Sequence, residues 1–399
     1  MTSQNILFRF VVLTLLVAFF FGSYFLENIG VQYVSEGGNP VFKLHLYSYL
    51  TVIMFATSFL NRQIRLSFSG LGGLESYWLV SVACISFVVI YGLFRQGMSG
   101  MAYLVDTVLT PLLMVPLLLL LEDKQKDTII KILAWLVLIN SFIAIVEFSL
   151  SRSFIFVEFL SFSHFRSPAL LGHPLNNALI TATLAPLLMA KTRLPAPFYF
   201  FTVLLSLFAF GGRGAMGIFI LGSIVISLPV IKRFMTHGVT MTMRKFSLYQ
   251  IVFFLVLIAG GAVLVLTSIG DRILSKLYID NSAQARFDVF AILAQMDTRE
   301  WLLGASNTLK SNLAFFIGQK TIENYLVGWL FSFGLLGAVP LLISVFNMPI
   351  RMVANMPLNA KVSLMSLFLV SITNNALSVK TTVLLFVFTA LTCLIKRKK

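Results

Sequence analysis

Apolar runs of about 17–22 residues recur along nearly the whole chain, and that is the length at which a helix crosses the hydrocarbon of a bilayer. They fall near 6–26, 42–60, 76–94, 103–121, 129–150, 169–190, 196–210, 214–231, 249–268, 322–346, 361–377 and 379–395. Inside hydrocarbon only a helix satisfies its backbone within one segment, so the runs read as helices rather than strands. With 58% hydrophobic and 11% charged residues and a mean hydropathy of +0.92, the chain lacks the polar surface of a water-soluble globule. The expected fold is an all-α polytopic membrane protein of roughly twelve transmembrane helices, a single integral membrane domain over residues 1–399. The runs 196–210 and 214–231 are parted by little more than Gly211-Gly212-Arg213-Gly214. The first run carries Arg9 near its start, but no small-residue cleavage site follows it, so it reads as an anchor and not a removed signal.

A net charge of +15 invites a nucleic-acid reading, which the distribution of charge excludes. With the N-terminus inside, the connections holding Arg62/Arg65, Lys124/Lys126/Lys131, Lys191/Arg193, Lys232/Arg233/Arg244/Lys245, Arg351/Lys361 and the tail Lys396–Lys399 all fall on the cytoplasmic face. That is the positive-inside pattern, and an even number of crossings returns both termini to the cytoplasm. Cys84 and Cys393 lie in separate runs, so no disulfide framework is implied.

On the opposite, outer side, Lys43, His45, Arg95, Asp106, Glu147, Arg152, His164, Arg166, His173 and Arg213 sit at or near the ends of runs, and Arg272, Arg286 and Arg299 lie in one long connection, 269–321. Ionisable groups at such positions are costly and commonly serve a site. Snorkelling to headgroups is the plainer account of any one of them but not of the whole set. Asp106 and Glu147 read as structural partners for outer arginines such as Arg95 or Arg152. A connection of this length between short-looped spans reads as a lid or site wall. Within it, residues 282–296 form an amphipathic helix in this reading, with Phe287, Phe290, Ile292 and Leu293 on its apolar side and Trp301 at the interface.

Several chemistries are missing from the pattern. There is no phosphate-binding glycine loop, no Gly-x-Ser-x-Gly elbow and no Cys/His metal spacing, so neither a metal nor a soluble cofactor is expected. The first outer loop offers Glu27 and Glu36 but no Asp-x-Asp pair of the sort that holds a divalent metal in membrane glycosyltransferases. Without a metal, arginine is the side chain suited to a departing phosphate, since its planar fork makes paired, charge-assisted hydrogen bonds to phosphate oxygens.

Four segments carry a resemblance to a known family: Arg166 with Gly172-His173-Pro174-Leu175-Asn176-Asn177; the turn Gly211-Gly212-Arg213-Gly214-Ala215; Ala285-Arg286 followed by Trp301-Leu302-Leu303-Gly304; and Glu323-Asn324, nine residues, then Gly334-Leu335-Leu336-Gly337. In order and spacing these resemble the superfamily of O-antigen ligases and Wzy-type polysaccharide polymerases, over about residues 130–345. The last segment resembles the ligase pattern His-[Asn/Ser/Gln]-x9-Gly-x-x-[Gly/Thr/Tyr], except that glutamate stands where the ligases have histidine. That departure favours the more variable polymerase branch.

The resemblance implies a multi-pass enzyme of the bacterial inner membrane, with 269–321 as a periplasmic loop carrying short helices and forming one wall of the active site. It implies glycosyl transfer at the periplasmic face between two polyprenyl-diphosphate-linked oligosaccharides, donor and acceptor, with a chain-length regulator and a flippase as associated proteins. Arg213 and Arg286 would then hold the donor diphosphate, with Arg166 and Arg272 beside them, and Glu323 would act as general base. His173 and Asn324 would contact substrate or position the span. Asn176 and Asn177 read instead as holding a broken helix together. An O-antigen ligase, with lipid A core as acceptor, and a lipid-linked glycan transporter stand as the alternatives. Inner halves of the spans almost free of charge speak against transport.

Overall fold

The computed structural model describes residues 3–34, 39–60, 68–97, 100–155, 165–238, 241–247, 249–251, 254–255, 258, 289–313, 315 and 322–395. Every regular element among the described residues is helical. In chain order the principal helices are α1 (Ser3–Phe20), α2 (Leu46–Leu60), α3 (Glu75–Gln96) and α4 (Ala102–Leu119). Next come α5 (Asp123–Leu150), α6 (Pro174–Leu188), α7 (Ala196–Ala209) and α8 (Arg213–His237). The short α9 (Thr298–Leu303) is followed by α10 (Tyr325–Val353), α11 (Leu358–Ile372) and α12 (Val383–Leu394). Each apolar run read from the sequence coincides with one of these helices except 249–268, which lies largely outside the described residues. Five segments, Leu71–Gln96, Ala102–Leu119, Asp123–Leu150, Arg213–His237 and Tyr325–Val353, are long and apolar enough to cross a membrane. The remaining apolar helices among the described residues are shorter, so length and composition carry five crossings there, where the sequence suggests about twelve over the whole chain.

Local chemistry sets the boundaries. α5 opens on a capping box, in which the side chains of Glu122 and Gln125 exchange hydrogen bonds with each other's backbone, and closes on Ser151 in a left-handed conformation. α6 starts at Pro174, whose missing N–H is an orphan in any helix, while the His173 ring accepts from Asn176 N at 3.4 Å. α10 starts under Asn324, whose Oδ1 accepts from Leu326 N at 3.0 Å and Val327 N at 3.3 Å.

At the centre stands α12, buried on every side from Val383 to Cys393 and packed against α4, α5 and α6. Its 12 residues span about 18 Å, well short of the roughly 30 Å of a hydrocarbon core. A helix apolar all round and this short is a core element and not a lipid-facing span. The connection 373–382 that leads into it therefore lies inside the bundle: Thr107, in the π-helical turn Val105–Leu109 of α4, donates to Val379 O at 2.9 Å and accepts from Thr381 N at 3.1 Å. Irregular backbone at such depth survives only where protein satisfies it, as here.

A second, smaller apolar cluster joins the long connection to α10. Val289, Ile292, Met296, Ala305 and Leu309 pack on Val327 and Phe331. Residues Val289–Gln295 form a 3-10 helix and not the expected amphipathic α-helix, and Phe290 faces outward at 52% exposure. In a 3-10 turn positions i and i+3 eclipse, which aligns Val289 and Ile292 on one face and turns Phe290 away. Phe287 lies outside the described residues.

Candidate functional site

The non-helical strap 165–173 carries Arg166, and a buried polar scaffold fixes it. Glu147, in the last turn of α5 and fully buried, accepts from Ser167 Oγ, from Ala169 N at 3.0 Å and from Phe154 N at 2.7 Å. Asn140, two turns earlier on the same helix, accepts from Leu170 N at 3.0 Å and donates to Asn177 Oδ1 at 2.7 Å. Asn177 in turn donates to Pro168 O at 2.7 Å and His173 O at 3.1 Å. Ser167 N closes the strap onto α7 by donating to Ala209 O at 3.0 Å. Glu147 thus binds backbone and a hydroxyl, not an arginine partner, because the strap brings unpaired N–H groups to a buried carboxylate. Asn177 holds the strap to α6, in line with its expected structural role.

Between α7 and α8 the chain turns at Gly211, with φ +71. The Arg166 side chain lies across the bare face of that glycine: a Cβ there would sit 2.9 Å from Arg166 Cδ and 3.0 Å from its Nε. Two residues on, Arg213 opens α8. Arg166 and Arg213 consequently line one cavity of about 20 Å³, with Leu175, Ala178, Val370, Thr373 and Asn374 completing the wall. Cations of two distant segments share a volume that holds about one water-sized atom. The strap places His173 against Tyr24, their rings stacked with centroids 6.0 Å apart. Arg272, Arg286 and His164 lie outside the described residues.

The glycine motif of α10 has a different use from a helix-packing notch. Gly334 breaks the helix, with φ 62 and ψ −172, and the loop after α9 enters the break. Gly304 of the Trp301-Leu302-Leu303-Gly304 run lies against Ser332 O and Phe333 N, while a Cβ on Gly334 would fall 2.3 Å from Leu302 O. The break releases carbonyls that an intact helix would occupy, and each finds a donor: Ala305 N bonds Phe331 O at 2.8 Å and Gln96 Nε2 bonds Ser332 O at 2.7 Å. From α3, Tyr91 donates to Leu303 O at 2.6 Å and Arg95 to Gly304 O at 2.9 Å. Arg95 therefore secures the long connection and does not pair with Asp106. Asp106, fully buried, instead accepts from Tyr33 Oη at 2.7 Å, Ser48 Oγ at 2.6 Å and His45 N at 3.1 Å.

Glu323 is half-buried and precedes the cap of α10; Asn324 spends its side-chain oxygen on that cap. Neither lines the arginine cavity. They are tied to it through the 373–382 connection: Gly328, in the first turn of α10, lies against Ser378, while Thr373 and Asn374 form the cavity wall. The sequence reading passed over this connection. Lys380 in it donates to Tyr33 O and to Lys43 O at 2.8 Å, with Nζ 3.9 Å from the Tyr33 ring centroid. The signal was present: Asn374-Asn375 and Lys380 interrupt two apolar runs.

Among the described residues no group of three His, Cys, Asp or Glu side chains gathers to hold a metal. The elements present can bind an oxyanion between two arginines and offer a carboxylate at the mouth of α10. No protein-family model matches the chain, and a search of curated proteins finds no match.

Proposed function

We propose that this chain is a bacterial polysaccharide polymerase, joining polyprenyl-diphosphate-linked oligosaccharide repeats at the periplasmic face of the inner membrane. The observation that carries the reading is the meeting of Arg166 and Arg213 in one cavity, each delivered by a device built for it, the strap and the Gly211 turn. Paired guanidinium groups suit the oxygens of a diphosphate, and each charge-assisted bond contributes about 1.5–3 kcal/mol. In the proposed reaction an acceptor hydroxyl attacks the anomeric carbon of the donor sugar from the face opposite the diphosphate. The bond from that carbon to the diphosphate oxygen breaks, and the electron pair leaves with the diphosphate, held by the arginines. Glu323 takes the proton of the hydroxyl, a contribution of roughly a hundred- to ten-thousand-fold in rate. One displacement inverts the anomeric centre.

The docked loop supports the reading from another side. It fastens residues Val289 to Leu309 of the long connection to α10, the helix that Glu323 precedes. The test is mass spectrometry of polyprenyl-diphosphate-linked glycans in cells with and without the protein. Single repeats accumulating on lipid when it is lost are the expected result. Long chains left on lipid would instead identify an O-antigen ligase, and no change in either species would overturn the reading.

A further inference from the structure

The 373–382 connection supplies more than a wall. Asn374 is 3% exposed and lines the cavity with Arg166 and Arg213. Its Oδ1 is engaged, accepting from Ala376 N at 3.0 Å. This fixes the carboxamide plane, and among the described residues the side chain's hydrogen bond is made by Oδ1 and not by the Nδ2 amino group. Its neighbour Thr373 spends its hydroxyl proton on Val370 O at 2.8 Å, so it offers the cavity an acceptor and no donor.

We propose that Asn374 is a third donor to the phosphate oxygen that Arg166 and Arg213 hold, and that the connection between α11 and α12 belongs to the anion site. The inference rests on reading this cavity as the donor's diphosphate site. A volume of about 20 Å³ admits one oxygen-sized atom, so the cavity takes a single phosphate oxygen while the remainder of the diphosphate and the sugar lie outside it. A neutral donor beside two guanidinium groups adds a bond without adding charge.

The decisive variant is Asn374→Asp. Its carboxylate still accepts from Ala376 N, so the local turn is kept, while the donor becomes an acceptor of like charge to the ligand. The full-length chain in detergent is titrated with farnesyl diphosphate, and with inorganic pyrophosphate as the lipid-free probe. The expected result is a melting temperature close to wild type and binding of both probes weakened about tenfold or more, the loss of one bond to a charged group. If Asn374 were only a structural cap, Asn374→Ser would bind as wild type does and the proposal would fail. Asn374→Ser, which can cap the turn through its hydroxyl but lacks the amino group, guards against misfolding and is expected to lose affinity in the same direction. A wild-type chain that binds neither probe overturns the diphosphate reading itself. Wild-type binding with both variants unchanged overturns the role of Asn374 alone.

Discussion

Replacing Gly334 with alanine tests the docking of the long connection directly. At φ 62 and ψ −172 the residue occupies a region open essentially to glycine, and a side chain there costs about 1–3 kcal/mol in backbone strain. The added Cβ would also lie 2.3 Å from Leu302 O, 2.4 Å from Leu302 C and 2.5 Å from Gly304 N. These are backbone atoms, so no side-chain rotation relieves the contact, and the loop has to leave the break. Leaving forfeits the bonds from Ala305 N, Tyr91 and Arg95, each with a net value of about 0.5–1.5 kcal/mol. Together these effects make about 4 kcal/mol a reasonable figure for the local destabilisation, or roughly a thousandfold in the opening equilibrium. Hydrogen exchange followed by mass spectrometry reads this directly: amides of α9 and of Gly304 and Ala305 are expected to exchange faster by that order, while α12 stays protected. Gly217→Ala, whose Cβ would meet nothing within 4 Å, is the control and is expected to leave exchange unchanged. Wild-type protection of α9 in Gly334→Ala would refute the argument that the helix break exists to seat the loop.

Glu147→Ala removes the acceptor of three buried donors, and a loss of about 3 kcal/mol or more is expected, read as a lowered melting temperature with faster exchange at Ser167 and Ala169. Glu323→Gln keeps shape and capping geometry but removes the proton acceptor; expression is expected to persist and polymer to vanish, and normal polymer would sink the base assignment.

Much of the helical layout was legible because hydropathy acts over whole segments: the runs at 76–94, 129–150 and 322–346 meet helices of spanning length. Hydropathy found the apolar helix within 379–395 but not that other helices enclose it, since an apolar helix facing lipid and one facing protein read alike. The glycines of 334 and 304 were visible as motifs, but not that each fits against the other's segment. Asp106 and Glu147 were visible as costly residues, yet their partners are backbone N–H groups and hydroxyls that the sequence does not distinguish from any others.

By itself, then, the sequence determined that this chain is helical and bound to a membrane, because backbone satisfaction and apolar length admit no other arrangement, and it marked Arg166, Arg213 and Glu323 as residues out of place in such a chain. Tertiary structure alone decided that Arg166 and Arg213 share a cavity, that Asn374 lines it with them, and that Glu323 stands apart from it at the head of α10. Those outcomes depend on which carbonyls and N–H groups remain unpaired once the helices have packed, and on where glycine lets two backbones meet. Neither is a property of any segment taken alone.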